Sequence, residues 1–461
     1  SFLYPAKNVP TVYEVANSCR FNDGDSPDML KNLSSGSRTK WTFSTWFKRS
    51  ALSSTQYLFR CIEDGNAGNY TYLQFNSSNQ LIFLDYSSSD NAKLQTNRLF
   101  RDISAWYHVC LIIDTTDGTA GDRQKLYING VRETSFASSA NYSSSFDTNM
   151  NVADYKFNIA YDGDNSGSYF DGYLAETVFL DGTDEVIGSF GENDEDSPTI
   201  WKPKDVSGLT FGTNGFYLDY EDSSNLGNDA NGGTDFTETN LAATDQATDT
   251  PTNNFATMNS LDNYYAGATF SEGNLKIVTG GSNITYVTST IGFSSGKFYM
   301  ETKLAGSAGY TIGVVKGVSE GNDNDNKLGN RGDGWSYDDG GDVENNGSTL
   351  SGSFDSYSSG DIIGVYADLD NNKLYFSKNG TLQNSGTGLA LTSGTYFFAV
   401  GDNHASNSST FEVNFGSPTF SISSGNTDGE YGNFEYSTTI TGDSASKTFK
   451  VLNTKNLAEF G

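Results

Sequence analysis

Lys125–Gly130 reads KLYING, and Lys373–Gly380 reads KLYFSKNG. Each is a strand signal running into Asn-Gly, the dipeptide that tolerates the positive φ of a tight hairpin. Each follows an apolar strand ending in aspartate, Val109–Asp114 (VCLIID) in one case and Ile362–Asp368 (IIGVYAD) in the other. The same strand–turn–strand–turn device thus occurs once in each half of the chain. It predicts an all-β protein, two antiparallel β-sandwich domains of jelly-roll type joined by a polar linker. It also favours binding over catalysis.

A length of 461 residues makes two or three domains the natural expectation. Hydrophobic residues are only 35%, but 31 Phe and 27 Tyr carry enough apolar area to bury strand faces. With 50 Gly and 7 Pro, the turns are made by Gly, Asn, Asp and Ser. The 57 acidic against 28 basic residues give a net charge of −29. Such a field repels phosphate, so neither nucleic acid nor an anionic membrane surface is an expected partner. Acidity favours solubility and cation binding.

Cys19, Cys61 and Cys110 make an odd, sparse set, not a disulfide framework. Cys110 lies inside an apolar strand, where a buried thiol is usual. No apolar run reaches membrane-span length, so no membrane insertion is expected. The opening SFLYPAKNVP lacks the pattern of a signal peptide. Folding in a reducing cytoplasm is the expectation.

Along the chain, residues 1–17 read as an extended arm. Residues 18–185 carry recurring strands, among them Trp41–Lys48 (WTFSTWFK). There Trp41, Phe43, Thr45 and Phe47 point one way and Thr42, Ser44, Trp46 and Lys48 the other. Residues 186–257 are acidic and polar and read as a linker. Residues 258–420 form a second strand-rich block. Residues 421–461 read as a C-terminal extension ending in a final strand or docking arm.

Trp41–Lys48, Ala105–Asp114 (AWYHVCLIID), Leu126–Arg132 (LYINGVR) and Phe170–Phe179 (FDGYLAETVF) resemble laminin-G-like, concanavalin-type jelly rolls. That fold serves lectins, adhesins and enzymes alike. In the second block, YTIGV (Tyr310–Val314), Leu328-Gly329, GWSYD (Gly334–Asp338), GDIIGVYADLD (Gly360–Asp370), LYFSKNG (Leu374–Gly380) and NFG (Asn414–Gly416) resemble a SPRY domain, in that family's order. The arrangement of the two is similar to virion-surface proteins of tailed bacteriophages, marine ones especially.

Chemistry is sparse. His108 and His404 fall in different domains, and neither can be attached to a nucleophile, so no triad is supported. No CxxC or HExxH occurs. Gly292–Lys297 (GFSSGK) has one residue too few for a phosphate loop. Concanavalin-type hydrolases need alternating carboxylates along a strand, and the nearest match, Glu192–Asp196 (ENDED), reads as a loop. Arg331-Gly332-Asp333 and the sequons at Asn69, Asn141 and Asn283 are products of composition.

Asp162–Gly167 (DGDNSG) spaces Asp162, Asp164 and Ser166 as alternate ligands, the first half of a calcium loop. Tyr173 stands where the bidentate Glu belongs, and Asp171 or Glu176 could substitute. Asn322–Asn326 (NDNDN) is a second candidate for calcium. In GWSYDDGG, Trp335 and Tyr337 are either exposed aromatics that stack on a sugar beside Asp338, Asp339 and Asp342, or core residues. The core is expected for Trp335, and Tyr337 is open.

The leading expectation is a non-enzymatic virion-surface protein, a tail or head fibre or decoration subunit assembled in the host cytoplasm. Its expected partners are other virion proteins, further copies of itself, and a host-surface glycan or protein. The alternatives are a glycan depolymerase on a concanavalin-type scaffold and a purely structural adaptor.

Overall fold

The computed structural model describes residues 13–64, 68–164, 167–263, 267–281, 284–317, 327–406 and 408–461. Its first half is a sandwich of two antiparallel sheets. The first sheet orders β10 (Val131–Arg132), β9 (Gln124–Ile128), β8 (Tyr107–Asp114), β3 (Lys40–Arg49), β13 (Gly172–Asp181), β1 (Ser18–Phe21) and β18 (Gln246–Ala247). A further strand, β16 (Phe216–Leu218), also pairs with β13. The second sheet orders β11 (Phe136–Ala140), β7 (Asp90–Leu99), β6 (Gln80–Ser87), β5 (Asn69–Phe75), β4 (Gln56–Glu63), β12 (Tyr155–Ile159), β2 (Asp28–Asn32) and β17 (Thr237–Thr239). A separate pair joins β14 (Gly191–Asn193) to β15 (Trp201–Pro203).

Strand alternation builds the core between the sheets. Trp41, Phe43 and Phe47 of β3 meet Phe59, Leu73, Phe75, Leu81 and Phe83 of the opposite sheet. Trp46, on the other side of β3, packs in a different cluster.

Residues 258–417 form the second sandwich. One sheet is built on Tyr286–Ser289, Tyr396–Asp402, Tyr310–Lys316 and Gly334–Asp338, the other on Ser409–Asn414, Lys297–Gly306, Ile362–Asp368 and Lys373–Lys378. Both Asn-Gly hairpins turn as the sequence requires. Asn129 and Gly130 have φ of 48° and 75°, and Asn379 and Gly380 have 46° and 77°. Each Asn side chain also clamps the neighbouring strand, Asn129 accepting the His108 N–H at 2.7 Å and Asn379 the Ile362 N–H at 2.8 Å.

The structure corrects the linker. Residues 186–257 are part of the first sandwich, supplying β16, β17 and β18, each paired to a strand of the main sheets. Their few large apolar side chains are set at core positions: Phe216, Leu218, Tyr220, Leu226 and Phe236 join the main core. Phe190, Val206, Phe211 and Tyr217 cover Cys110, Ile112, Val178 and Leu180 on the outer face of the first sheet. A polar average concealed apolar residues that fall singly between turns.

The C-terminal extension docks on the second sandwich. Lys450–Val451 pairs in parallel with Phe298–Tyr299, and Phe434, Phe449 and Val451 bury against Tyr299, Tyr366 and Tyr375. Of the N-terminal arm, Tyr13 and Val15 pack with Trp46 and Ala175. The segment leading from the first sandwich to the second is pinned by buried polar contacts, and its Phe255 buries with Tyr299 and Phe434. Lys48 Nζ donates to Asp249 Oδ2 at 2.8 Å, to Asn254 Oδ1 at 2.8 Å and to the Phe255 carbonyl at 3.0 Å. Tyr173 donates to the Gly273 carbonyl at 3.0 Å.

Candidate functional site

The outer face of the first sheet is closed by the chain itself, as the covering residues just described show. The outer face of the second sheet carries a row of half-buried tyrosines instead. Strand β5 reads NYTYLQF, so Thr71, Leu73 and Phe75 turn to the core while Tyr70, Tyr72 and Gln74 turn out. Register then aligns three rows across the sheet. Ile62, Tyr70 and Tyr86 form one row; Asn158, Arg60, Tyr72, Leu84 and Lys93 the next; Tyr57, Gln74, Ile82 and Gln95 the third.

The aromatic rings form a continuous patch. Tyr70 stacks on Tyr86 at 5.1 Å and on Tyr72 at 5.7 Å, and Tyr57 meets Tyr72 edge-on at 5.4 Å. Arg60 lies among them, 4.7 Å from the Tyr70 ring centre and 5.8 Å from that of Tyr57. Its Nη1 donates to the Asp162 carbonyl at 2.9 Å, and Nη2 stands 3.8 Å from Asp164 Oδ2. Burial raises the phenols of Tyr70, Tyr72 and Tyr57, the last to about 12, so these three remain neutral donors and acceptors at physiological pH. Arg60 Nε, Gln74 Oε1 and Asn158 Oδ1 are buried here without a hydrogen-bond partner among the described residues. Half-buried ring faces with phenol hydroxyls suit a polyhydroxylated ring, whose C–H faces stack and whose hydroxyls pair.

The residues singled out from sequence fall elsewhere. Trp335 and Tyr337 are buried in the second core, Trp335 beside Tyr396 and Tyr337 beside Phe376. Neither presents a face to a sugar, because the strand Gly334–Asp338 lies inside its sheet. The Tyr337 hydroxyl donates to the Asp355 carbonyl. Asp338 caps a turn, accepting the N–H groups of Gly340 and Asp342 at 3.0 and 3.1 Å. Asp339 accepts the Gly309 N–H at 2.7 Å, and Asp342 is exposed.

Nor do Asp162 and Asp164, the described acids of DGDNSG, gather with others into a metal site. Asp162 Oδ1 accepts the Asp164 N–H at 3.1 Å, and the Arg60 guanidinium lies against this turn, a fixed cation in place of a bound one. Asp171 lies in different surroundings, facing Asp23. Ser166 and the second candidate, Asn322–Asn326, lie outside the described residues. Among the described residues, no group of three or more His, Cys, Asp or Glu is arranged to hold a metal ion.

His108 is fully buried, pairs through Nε2 with Ser44 Oγ at 2.7 Å and accepts the Trp201 Nε1–H on Nδ1 at 3.1 Å. Burial pushes it down to about 3. It is a neutral tether for the segment that closes the first sheet. Glu192 and Asp194 ion-pair with Lys202 at 3.6 and 3.5 Å, and Arg331 with Asp333 at 2.9 Å.

Residues 23–183 match the family model described as the concanavalin A-like lectin/glucanases superfamily, and residues 297–418 match that of the SPRY domain. The chain is a concanavalin-like domain followed by a SPRY domain. Among solved structures, the SPRY domain of human HERC1 is 17% identical, with 34% of this chain and 96% of that one covered and a TM-score of 0.28. The heptameric SAP-like pentraxin from Limulus polyphemus is 16% identical, with 38% and 80% covered and a TM-score of 0.28. No curated protein matches the chain in sequence.

The tyrosine face belongs to the concanavalin-like domain. Sequence reasoning passed over it because exposed tyrosines are common in strands. Its signal was the spacing of Tyr70, Tyr72 and Gln74 opposite inward Leu73 and Phe75.

Proposed function

We propose that this protein is a non-enzymatic glycan-binding protein of a virion surface, a fibre or decoration subunit. Its concanavalin-like domain engages host-surface glycan through the outer tyrosine face of the second sheet. The observation that carries the reading is Arg60 set among half-buried, stacked tyrosines on an outward face. The virion setting is supported by the tandem arrangement and by the acidic composition. On this face Asp90, opposite Tyr86, is a single carboxylate, whereas a hydrolytic reading requires a pair.

The test is binding of the purified chain to a glycan array, repeated with Tyr72→Ala. Selective binding that Tyr72→Ala weakens is expected. Release of reducing ends from a bound glycan would replace this reading with the depolymerase. An array with no binding, or binding indifferent to the substitution, would remove the face. Detection of the protein in lysates but never in purified particles would remove the virion role.

A further inference from the structure

Lys48 is buried on the outer side of β3, 1% exposed, where register sets it beside Tyr173 of β13. A turn in the segment between the sandwiches delivers two partners to it. Thr250 and Asn253 exchange backbone hydrogen bonds at 3.2 and 3.0 Å around Pro251 and Thr252, so Asp249 and Asn254 leave the turn side by side. Lys48 Nζ donates to Asp249 Oδ2 and to Asn254 Oδ1, both at 2.8 Å. It thus touches a carboxylate and, one bond from the amide carbon, a carboxamide.

Both partners are oriented from behind. Asp249 Oδ1 accepts Trp106 Nε1–H at 2.9 Å and the Phe255 N–H at 3.2 Å, which leaves Oδ2 to Lys48. Asn254 Nδ2 donates to the Ser104 carbonyl at 2.6 Å, which holds the amide with its oxygen toward Lys48. The gap beside Asp249, walled by Tyr173, Phe255, Leu275 and Phe415, has no room for a water molecule. Such dryness strengthens hydrogen bonds and keeps hydrolysis out. Lys31 is the contrast. It too is buried, but among the described residues its Nζ donates to Asp229 at 3.4 Å and to no side-chain amide.

We propose that Lys48 and Asn254 join in an isopeptide bond, with Asp249 carrying the protons. Asp249 Oδ2 takes a proton from the Lys48 ammonium, which frees the Nζ lone pair. Nζ attacks Cγ of Asn254, and the proton on Asp249 moves to Oδ1 of the amide. Nζ then yields a second proton to Asp249, which passes it to Nδ2. The Oδ1 proton returns to Asp249 as the carbonyl re-forms and the Cγ–Nδ2 bond breaks. Ammonia departs with that proton as ammonium, and Asp249 is again a carboxylate. One ammonium enters and one leaves, and no oxidant is consumed. The hydrogen-bonded trio is the state that precedes the bond.

The bond ties an interior strand of the first sheet to a residue 206 positions later (254 − 48). Closing so long a loop takes conformational freedom from the unfolded chain. Cys19, Cys61 and Cys110 are all free, so this clasp is one that reductants leave intact.

The experiment is mass spectrometry of the intact, denatured full chain, then of its tryptic peptides. The expected mass is about 17 Da below that of the sequence, the loss of one ammonia, with Lys48 and Asn254 in one branched peptide. Asp249→Asn and Asn254→Ala should each keep the full mass of their sequences and give no branched peptide. Asn254 is half-buried, so its variant tests the bond with little risk to the fold. A wild-type chain of full mass would overturn the proposal whether or not either variant folds. So would the same deficit confined to a linear peptide, the mark of a cyclised Asn-Gly at Asn129 or Asn379. A branched peptide formed as completely in Asp249→Asn would overturn the assigned chemistry.

Discussion

The Arg60 guanidinium lies over the Tyr70 ring, 4.7 Å from its centre. Arg60 is itself almost fully buried, so ring and cation hold each other in place on a face otherwise open. That arrangement distinguishes a prepared surface from tyrosines scattered along a strand.

Truncating the rings should therefore weaken glycan binding with little change in stability. Tyr72→Ala and Tyr86→Ala are each expected to reduce affinity by about 3- to 10-fold, the equivalent of about 0.5–1.5 kcal/mol per aromatic contact. Arg60→Lys keeps the charge but loses the planar fork, and should weaken binding as well. Calorimetric titration with the best array ligand measures all three.

The two Asn-Gly hairpins offer a test of backbone strain. A Cβ at Gly130 would run into the Trp201 ring, and one at Gly380 into that of Tyr436. Gly232 also has positive φ, 82°, but nothing lies within 4 Å of the Cβ position. Gly232→Ala should cost about 1–2 kcal/mol from φ alone. Gly130→Ala and Gly380→Ala should cost more, because a ring must also move. Chemical denaturation of the three variants separates the two effects, and equal losses would show that the rings yield freely.

Lys48 and Asp249 form a buried ion pair at 2.8 Å, and Asp249 Oδ1 also accepts Trp106 Nε1–H at 2.9 Å. Lys48→Met strands the carboxylate and should cost about 3–5 kcal/mol, with part recovered in Lys48→Met/Asp249→Asn. Chemical denaturation of the single and double variants measures the loss and its recovery.

Glu176 accepts Tyr13 and Tyr217 hydroxyls at 2.8 and 2.9 Å, and burial raises it to about 7. In the unfolded chain it titrates near 4.5. Between those values the folded state holds a proton that the unfolded state has lost. Its contribution is therefore fully present below about pH 4.5 and is lost as pH rises through about 7. Glu176→Gln keeps the neutral form at every pH. The stability difference between variant and wild type should shift toward the variant by on the order of 3 kcal/mol from pH 4.5 to 8. Denaturation across that range checks it, and a flat difference would mean that the carboxyl is not held neutral.

The sequence by itself determined the fold class, the two sandwiches and the closing turns. KLYING and KLYFSKNG carry their strand period and turn chemistry locally, so Asn129 and Asn379 were legible without any partner. The same locality failed at residues 186–257. Phe216 and Phe236 look isolated in a polar stretch, and only packing against Phe157 reveals them as core. Trp335 is expected in the core and lies there, whereas Tyr337 belongs to this second kind, since its place is open until the second sheet covers it. The tyrosine face exists because register lays Arg60, Tyr72 and Leu84 side by side from three strands. Turns and strand periods depend on neighbours a few residues away, whereas a site depends on side chains that only sheet pairing brings together.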